Sequence, residues 1–259
     1  MSFIEEMFSL KGKVAVVIGG GGVLGGAIAE GLGKAGANIA IIDPKCDKAK
    51  KRLSELKSQG IHAIPIEMDA TRLRDLKKAS LQIQRHFGRV DILVNAPGIN
   101  SATPFFEISE DEWQKIMDVN LKSIFLASQV FGKMMIDQDD GGSIINISSA
   151  SSGPPLSRVF TYSITKAGIN NLTQNLAREW APYRIRVNAL APGFFPAEQN
   201  RKILSEERIQ DIFRHTPMAR FGEPEELVGA VVWMASEKAS SFLTGAIIRV
   251  DGGFTAMTI

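Results

Sequence analysis

The chain has 259 residues, 44% apolar and 22% charged, with a formal net charge of +2. That balance belongs to a globular protein with a full core, large enough for one α/β domain spanning residues 1–259. Scattered Lys and Arg leave no nucleic-acid footprint, and the single Cys46 with only three histidines gives neither an intrachain disulfide nor an expected metal site. No apolar run reaches the ~18–20 residues that cross a bilayer, and the start MSFIEEMFSLKGK lacks the core of a secretory signal. The expectation is a cytoplasmic protein of a reducing compartment, with no membrane or nucleic-acid partner.

Apolar runs and amphipathic stretches alternate throughout. KVAVVIG (13–19) predicts a buried strand and LGGAIAEGLGKAG (24–36) a helix ending on glycine. There follow NIAIID (38–43) as a strand, a charged helix over Asp47–Gln59, HAIPIEM (62–68) as a strand and a helix over Leu73–Phe87. VDILVNA (90–96) is the fourth strand. A long helix is expected over Ser109–Met135, with Ser109 as N-cap and Glu112 as its capping-box partner. GSIINISS (142–149), a helix over Tyr162–Trp180, IRVNALA (185–191) and GAIIRVDGG (245–253) complete seven strands. This rhythm predicts a Rossmann-type, doubly wound parallel sheet with helices on both faces. The interval Gly193–Gly222 breaks it and is read as a flap over the ligand site.

IGGGGVLGG (18–26) joins the first strand to a helix, so backbone N–H groups and the positive helix end can meet a pyrophosphate. Asp43 ends the second strand, where an acid that accepts both adenosine ribose hydroxyls is expected. A carboxylate there repels a 2′-phosphate, which favours NAD over NADP; Lys45 and Lys48 nearby pull the other way. YSITK places Tyr162 and Lys166 on one helix face. Ser149 ends NISS, and Asn120 lies in DVNLKS on the long middle helix.

With these motifs in place, the sequence resembles the short-chain dehydrogenase/reductase family over essentially its whole length. The matching pieces are the glycine loop 19–25, Asp69 in EMDA, NAPG (95–98), Asn120, Ser149, Tyr162, Lys166, APG (191–193) and VDGG (250–253). The resemblance implies that Tyr162 exchanges a proton with the substrate oxygen while hydride moves at the nicotinamide. Ser149 would steady that oxygen, Lys166 would hold the nicotinamide ribose and lower the tyrosine pKa, and Asn120 would hold a relay water. Bringing a tyrosine from ~10 to neutrality takes about 4 kcal/mol, one ammonium at ~4 Å supplies about that much in an effective dielectric of ~20, and Lys166 and the positive nicotinamide ring together are expected to do it. The implied coenzyme site comprises Gly19, Gly21, Gly22, Val23, Leu24, Asp43, Asp69, Ala70, Asn95 and Ala96. Tyr162, Lys166, Pro192, Gly193 and Phe195 complete it. Family members are usually tetramers joined through the helices that carry Asn120 and Tyr162 and through the C-terminal segment, so a homotetramer is expected.

Ile18 and Val23 stand where relatives have threonine and glycine, Pro97 is unusual in its loop, and Ala197 replaces a threonine that touches the carboxamide. Because valine resists positive φ, the close approach must pass to Gly22 or Gly25, or the helix must begin a step earlier. GGGGVLGG with PGFFPAEQNR resembles the branch acting on sugar acids, such as fructuronate reductase and gluconate 5-dehydrogenase. That implies a keto sugar acid, with fructuronate to mannonate as the leading reaction. Arg201, with Gln199 and Asn200, is the predicted carboxylate site, and Ser151 and Arg158 are further substrate candidates. Phe194 and Phe195 are expected to anchor the lid. The alternatives are a reductase of another polyol, sugar or 3-oxoacyl substrate, or a catalytically idle coenzyme-binding sensor or assembly subunit.

Overall fold

The computed structural model describes residues 2–154, 156–196 and 204–257. Its first half runs α1 (Phe3–Phe8), β1 (Val14–Ile18), α2 (Val23–Lys34), β2 (Asn38–Asp43), α3 (Cys46–Ser58), β3 (Ala63–Glu67), α4 (Leu73–Phe87) and β4 (Ile92–Asn95). The second half contains α5 (Glu110–Met117), α6 (Ser123–Gln138), β5 (Gly142–Ile147), α7 (Phe160–Trp180) and β6 (Ile185–Pro192). It ends with α8 (Glu206–Arg214), α9 (Val228–Ala235), α10 (Glu237–Ser240) and β7 (Ile247–Val250). The seven strands form one sheet in the order β3-β2-β1-β4-β5-β6-β7, and every pairing is parallel.

The uninterrupted apolar strands split their side chains between two cores, as a sheet covered on both faces requires. In β1, Ala15 and Val17 join Ile28 and Leu32 of α2, Leu56 of α3 and Met234 of α9. Val14, Val16 and Ile18 point the other way, to Leu76 and Ile83 of α4, Phe131 of α6 and Ala177 of α7. All of these are essentially inaccessible to water. Among the described residues no helix is long and apolar enough to cross a membrane.

Three local expectations change. The long middle helix is α5 and α6 joined by a π-helical turn, Asp118–Lys122, which carries Asn120. Ser109 does accept the Glu112 N–H at 3.2 Å, but the Glu112 carboxylate takes the Thr103 hydroxyl at 2.8 Å, so the return bond of the capping box is absent. Inside the interval read as a flap lies an amphipathic helix, α8, capped by Ser205 and packed inward through Ile212.

Candidate functional site

β1 lies between β2 and β4, so the chain leaves the sheet in opposite directions after β1 and β4 and opens a crevice at their carboxyl ends. The glycine loop lines this crevice. Gly19 has φ +77°, and a Cβ there would stand 2.7 Å from the Ala96 carbonyl oxygen, so the two loops touch backbone to backbone. Gly25 packs α2 onto the loop: its Cβ would lie 2.3 Å from the Gly19 carbonyl oxygen. Gly22 is the N-cap and contributes no side-chain cap, which leaves the first-turn N–H groups of α2 for a ligand. Val23 needs no positive φ, because it is the first helical residue and is half exposed. Both routes around the valine are therefore used: the helix starts at it, and Gly25 makes the close approach. Leu24, beside it, packs against the first core.

Gly21 faces Asp43, whose Oδ2 is 2.8 Å from the position of a Gly21 Cβ. Asp43 is buried, and its Oδ1 accepts the Lys45 N–H at 2.9 Å. Oδ2 is left toward the loop. The stem of Lys48 also lies against Gly21. Asp69 accepts the Thr71 N–H (2.9 Å) and hydroxyl (2.7 Å) and pairs with Arg72 (3.3 Å). Burial pushes its carboxyl up, and the Thr71 hydrogen bonds with the Arg72 charge outweigh that and hold it below the usual range. Ala70 beside it is buried. Asn95 ends β4 and donates to Asn146 at 2.8 Å, while its own Oδ1 is buried with no partner among the described residues. A side-chain-free loop at a helix N-terminus, a carboxylate oxygen turned toward it and an unmatched amide oxygen below fit a dinucleotide. Gly19, Gly21, Gly22, Asp43 and Asn95 would hold it.

Tyr162, Lys166 and Ser149 come together at the end of β5. The Tyr162 hydroxyl is hydrogen-bonded to Ser149, and the Lys166 Nζ lies 5.3 Å from the centre of the tyrosine ring. Nζ donates to the Ile147 carbonyl at 2.7 Å, and the side chain is buried. The expected acidification of Tyr162 includes the positive nicotinamide ring together with Lys166; the chain's own groups do not lower the hydroxyl by themselves. Burial pushes the hydroxyl above its ordinary value, and the Ser149 hydrogen bond only partly opposes this. Lys166 lies over the ring and donates to a carbonyl, and burial pushes its own pKa down to about 7. Asn120 is buried in its π-turn with its amide fully engaged. It donates to the Ile99 carbonyl (2.9 Å) and Thr165 (3.3 Å) and accepts the Ile99 N–H (2.8 Å). Its side chain thus clamps the loop after β4.

Pro192 ends β6, and Gly193 sits against Asp251, where a Cβ would lie 2.7 Å from the Asp251 Cα. Phe195 lays its ring on Gly222 and packs on the first core, and Phe194 meets Phe254 edge-on at 5.3 Å. Ser151 is buried, with its N–H and hydroxyl both 3.1 Å from the Ser149 Oγ. Arg158 is exposed and left-handed, φ +65°. Gln199, Asn200 and Arg201, with Ala197, lie outside the described residues.

The structure adds residues that the sequence alone does not single out. Ser148 donates to Asn170 at 2.6 Å, and Asn170 donates to Ser152 at 2.8 Å, which ties the turn bearing Ser149 to α7. Asn170 repeats the spacing of Tyr162 and Lys166 one turn on, and that spacing was the available signal. Arg208 of α8 donates to Ser157 at 3.0 Å across a cavity of about 530 Å³.

Residues 22–255 match the family model described as enoyl-(acyl carrier protein) reductase. The chain is 35% identical to 5-keto-D-gluconate 5-reductase of Escherichia coli K12, over 96% of this chain and 98% of that protein. It is 37% identical to short chain dehydrogenase/reductase astE of Aspergillus oryzae, over 97% and 98% respectively. The crystal structure of a gluconate 5-dehydrogenase from Burkholderia cenocepacia, in complex with NADP and tartrate, superposes with a TM-score of 0.93. It is 33% identical and covers 98% of this chain and 100% of that one.

Proposed function

This chain belongs to the short-chain dehydrogenase/reductase family and is an NAD(P)-dependent oxidoreductase, and from that premise we propose that it interconverts the keto and hydroxyl forms of a sugar acid, with fructuronate and mannonate as the pair to test first. Two relatives carry the substrate class: one named for reduction of 5-keto-D-gluconate and one named a gluconate 5-dehydrogenase, each matched over nearly its full length. The sequence PGFFPAEQNR supports the same branch.

A bound nicotinamide would supply or accept the hydride. Tyr162 gives its proton to the carbonyl oxygen as that oxygen becomes an alkoxide, and Ser149 donates a second hydrogen bond to it. The hydroxyl, pushed up by burial, holds its proton at neutral pH and can give it in the reduction. Lys166 is fixed by the Ile147 carbonyl within reach of the same cleft, where it serves the nicotinamide ribose and the charge balance of the tyrosine. Asn120 holds the β4–α5 loop through Ile99, and through Thr165 it touches the helix that carries Tyr162. Asp43 favours NAD, because the oxygen it turns to the glycine loop suits ribose hydroxyls and opposes a 2′-phosphate. The half-exposed Phe125 on α6 and Ile164 on α7 suit the expected homotetramer, which light scattering would show as four times the chain mass.

The deciding experiment is a panel of keto hexonates, hexuronates, neutral sugars and 3-oxoacyl thioesters with NADH and NADPH. Turnover of keto sugar acids is expected. Turnover of acyl thioesters alone would overturn the substrate class. A Tyr162→Phe variant should lose about 10²–10⁴-fold in kcat while still binding NADH, and unchanged turnover would remove the tyrosine from its role.

A further inference from the structure

A sugar-acid site needs a cation for the carboxylate, and the wall formed by residues 96–109 after β4 contains none. Lys166 is buried against Ile147. Arg158 is exposed on the loop between Ser149 and Tyr162. Arg208 is placed differently. It rises from the first turn of α8, is partly buried and lines the cavity with Leu156, Phe194, Ile212 and Phe254. The loop after Ser149, the loop after Pro192 and the segment after β7 form the other walls, so the cavity lies at the carboxyl ends of β5, β6 and β7, the end of the sheet that holds Tyr162.

The guanidinium donates one bond, to the Ser157 hydroxyl at 3.0 Å. Among the described residues no carboxylate stands within 4 Å of it: Asp211, the acid in the cavity wall, is paired with Arg214. A partly buried guanidinium with one neutral partner has donors to spare and a charge without a counterion. Ser157, itself exposed, holds one arm of the fork, and the rings of Phe194 and Phe254 line the same cavity. The donors that remain on the planar fork match a carboxylate bidentately.

We propose that Arg208 binds the carboxylate of the substrate, with Ser157 orienting the guanidinium, and that this pair sets the preference for sugar acids over neutral sugars. The assignment rests on the sugar-acid reading above and moves the predicted carboxylate partner from Arg201 to a residue with a cavity in front of it.

The test takes the keto sugar acid that the wild type turns over fastest and a neutral ketohexose of the same length. Arg208→Gln should raise KM for the acid about 10–100-fold with kcat within about threefold, as expected for losing a charge-assisted hydrogen bond made in ground and transition states alike. KM for the neutral sugar should stay within about twofold, and Arg208→Lys should recover part of the loss. Ser157→Ala keeps the charge, frees its orientation and should raise KM severalfold. It also stands in if Arg208→Gln fails to fold. Unchanged KM for the acid in Arg208→Lys and Ser157→Ala, or in Arg208→Gln where it folds, overturns the assignment whatever kcat does. A wild type inactive on every sugar acid instead refutes the reading beneath it.

Discussion

Replacing Lys166 by methionine keeps most of the side-chain volume and removes a buried ammonium. Burial lowers the lysine pKa from 10.5 to about 7 in the folded chain. Because this is a base with a depressed folded pKa, its cost to stability is fully present below pH 7. The cost shrinks as pH rises toward the unfolded value, since the unfolded chain then holds the extra proton. Each pKa unit is worth about 1.36 kcal/mol, so the lysine costs roughly 5 kcal/mol at pH 6 and roughly 2 at pH 9. The bond that Nζ gives the Ile147 carbonyl is lost in the variant at both pH values and cancels in the comparison. Urea denaturation of the coenzyme-free protein should therefore show Lys166→Met gaining on the wild type by about 3 kcal/mol more at pH 6 than at pH 9. A stability difference that is flat with pH would mean that the ammonium keeps its proton in the folded state, and that burial does not depress its pKa.

Gly25→Ala places a methyl 2.3 Å from the Gly19 carbonyl. Denaturation should show a loss of about 1–3 kcal/mol, and NADH titration should show binding weakened at least about tenfold; unaffected binding would refute the tight seat. Asp43→Ser removes the charge beside Gly21. The NADPH-to-NADH ratio of kcat/KM should rise about tenfold or more, and an unmoved ratio would exclude Asp43 from coenzyme selection. Since burial holds the Tyr162 proton, reduction should proceed well at neutral pH and decline in alkali, while oxidation should climb there. Profiles that rise and fall together in both directions would contradict that ordering.

Much of the scaffold was legible because its signals are local. VAVVI, NIAIID and ILVN are buried strands that need no partner to be recognised, and a glycine run between strand and helix announces its use. The four-residue spacing of Tyr162 and Lys166 placed them on one face. What stayed hidden depends on neighbours remote in sequence. Thr103 diverts Glu112 from its cap, and the π-turn that seats Asn120 leaves no mark in DVNLKS. The direction in which the chain's own groups move Tyr162 follows from how deeply α7 packs, which the spacing of YSITK does not tell. The pairing of Arg208 with Ser157 joins positions 51 residues apart, and neither residue type announces it.

The position of β1 between β2 and β4 also has a temporal meaning. Its register with β4, Ala15 against Ile92, closes only after β2, α3, β3 and α4 have been made. A nascent chain that stops short of Ile92 owns every glycine of the loop but not the Ala96 backbone that completes the crevice. Ligand affinity is therefore a property of late assembly, and loop closure over such a separation slows the approach to it. Once formed, the folded state alone holds the dinucleotide, and at one hundred times Kd it gains about 2.7 kcal/mol. Cellular coenzyme levels would then help set how long a newly made molecule survives proteolysis, apart from any turnover it performs.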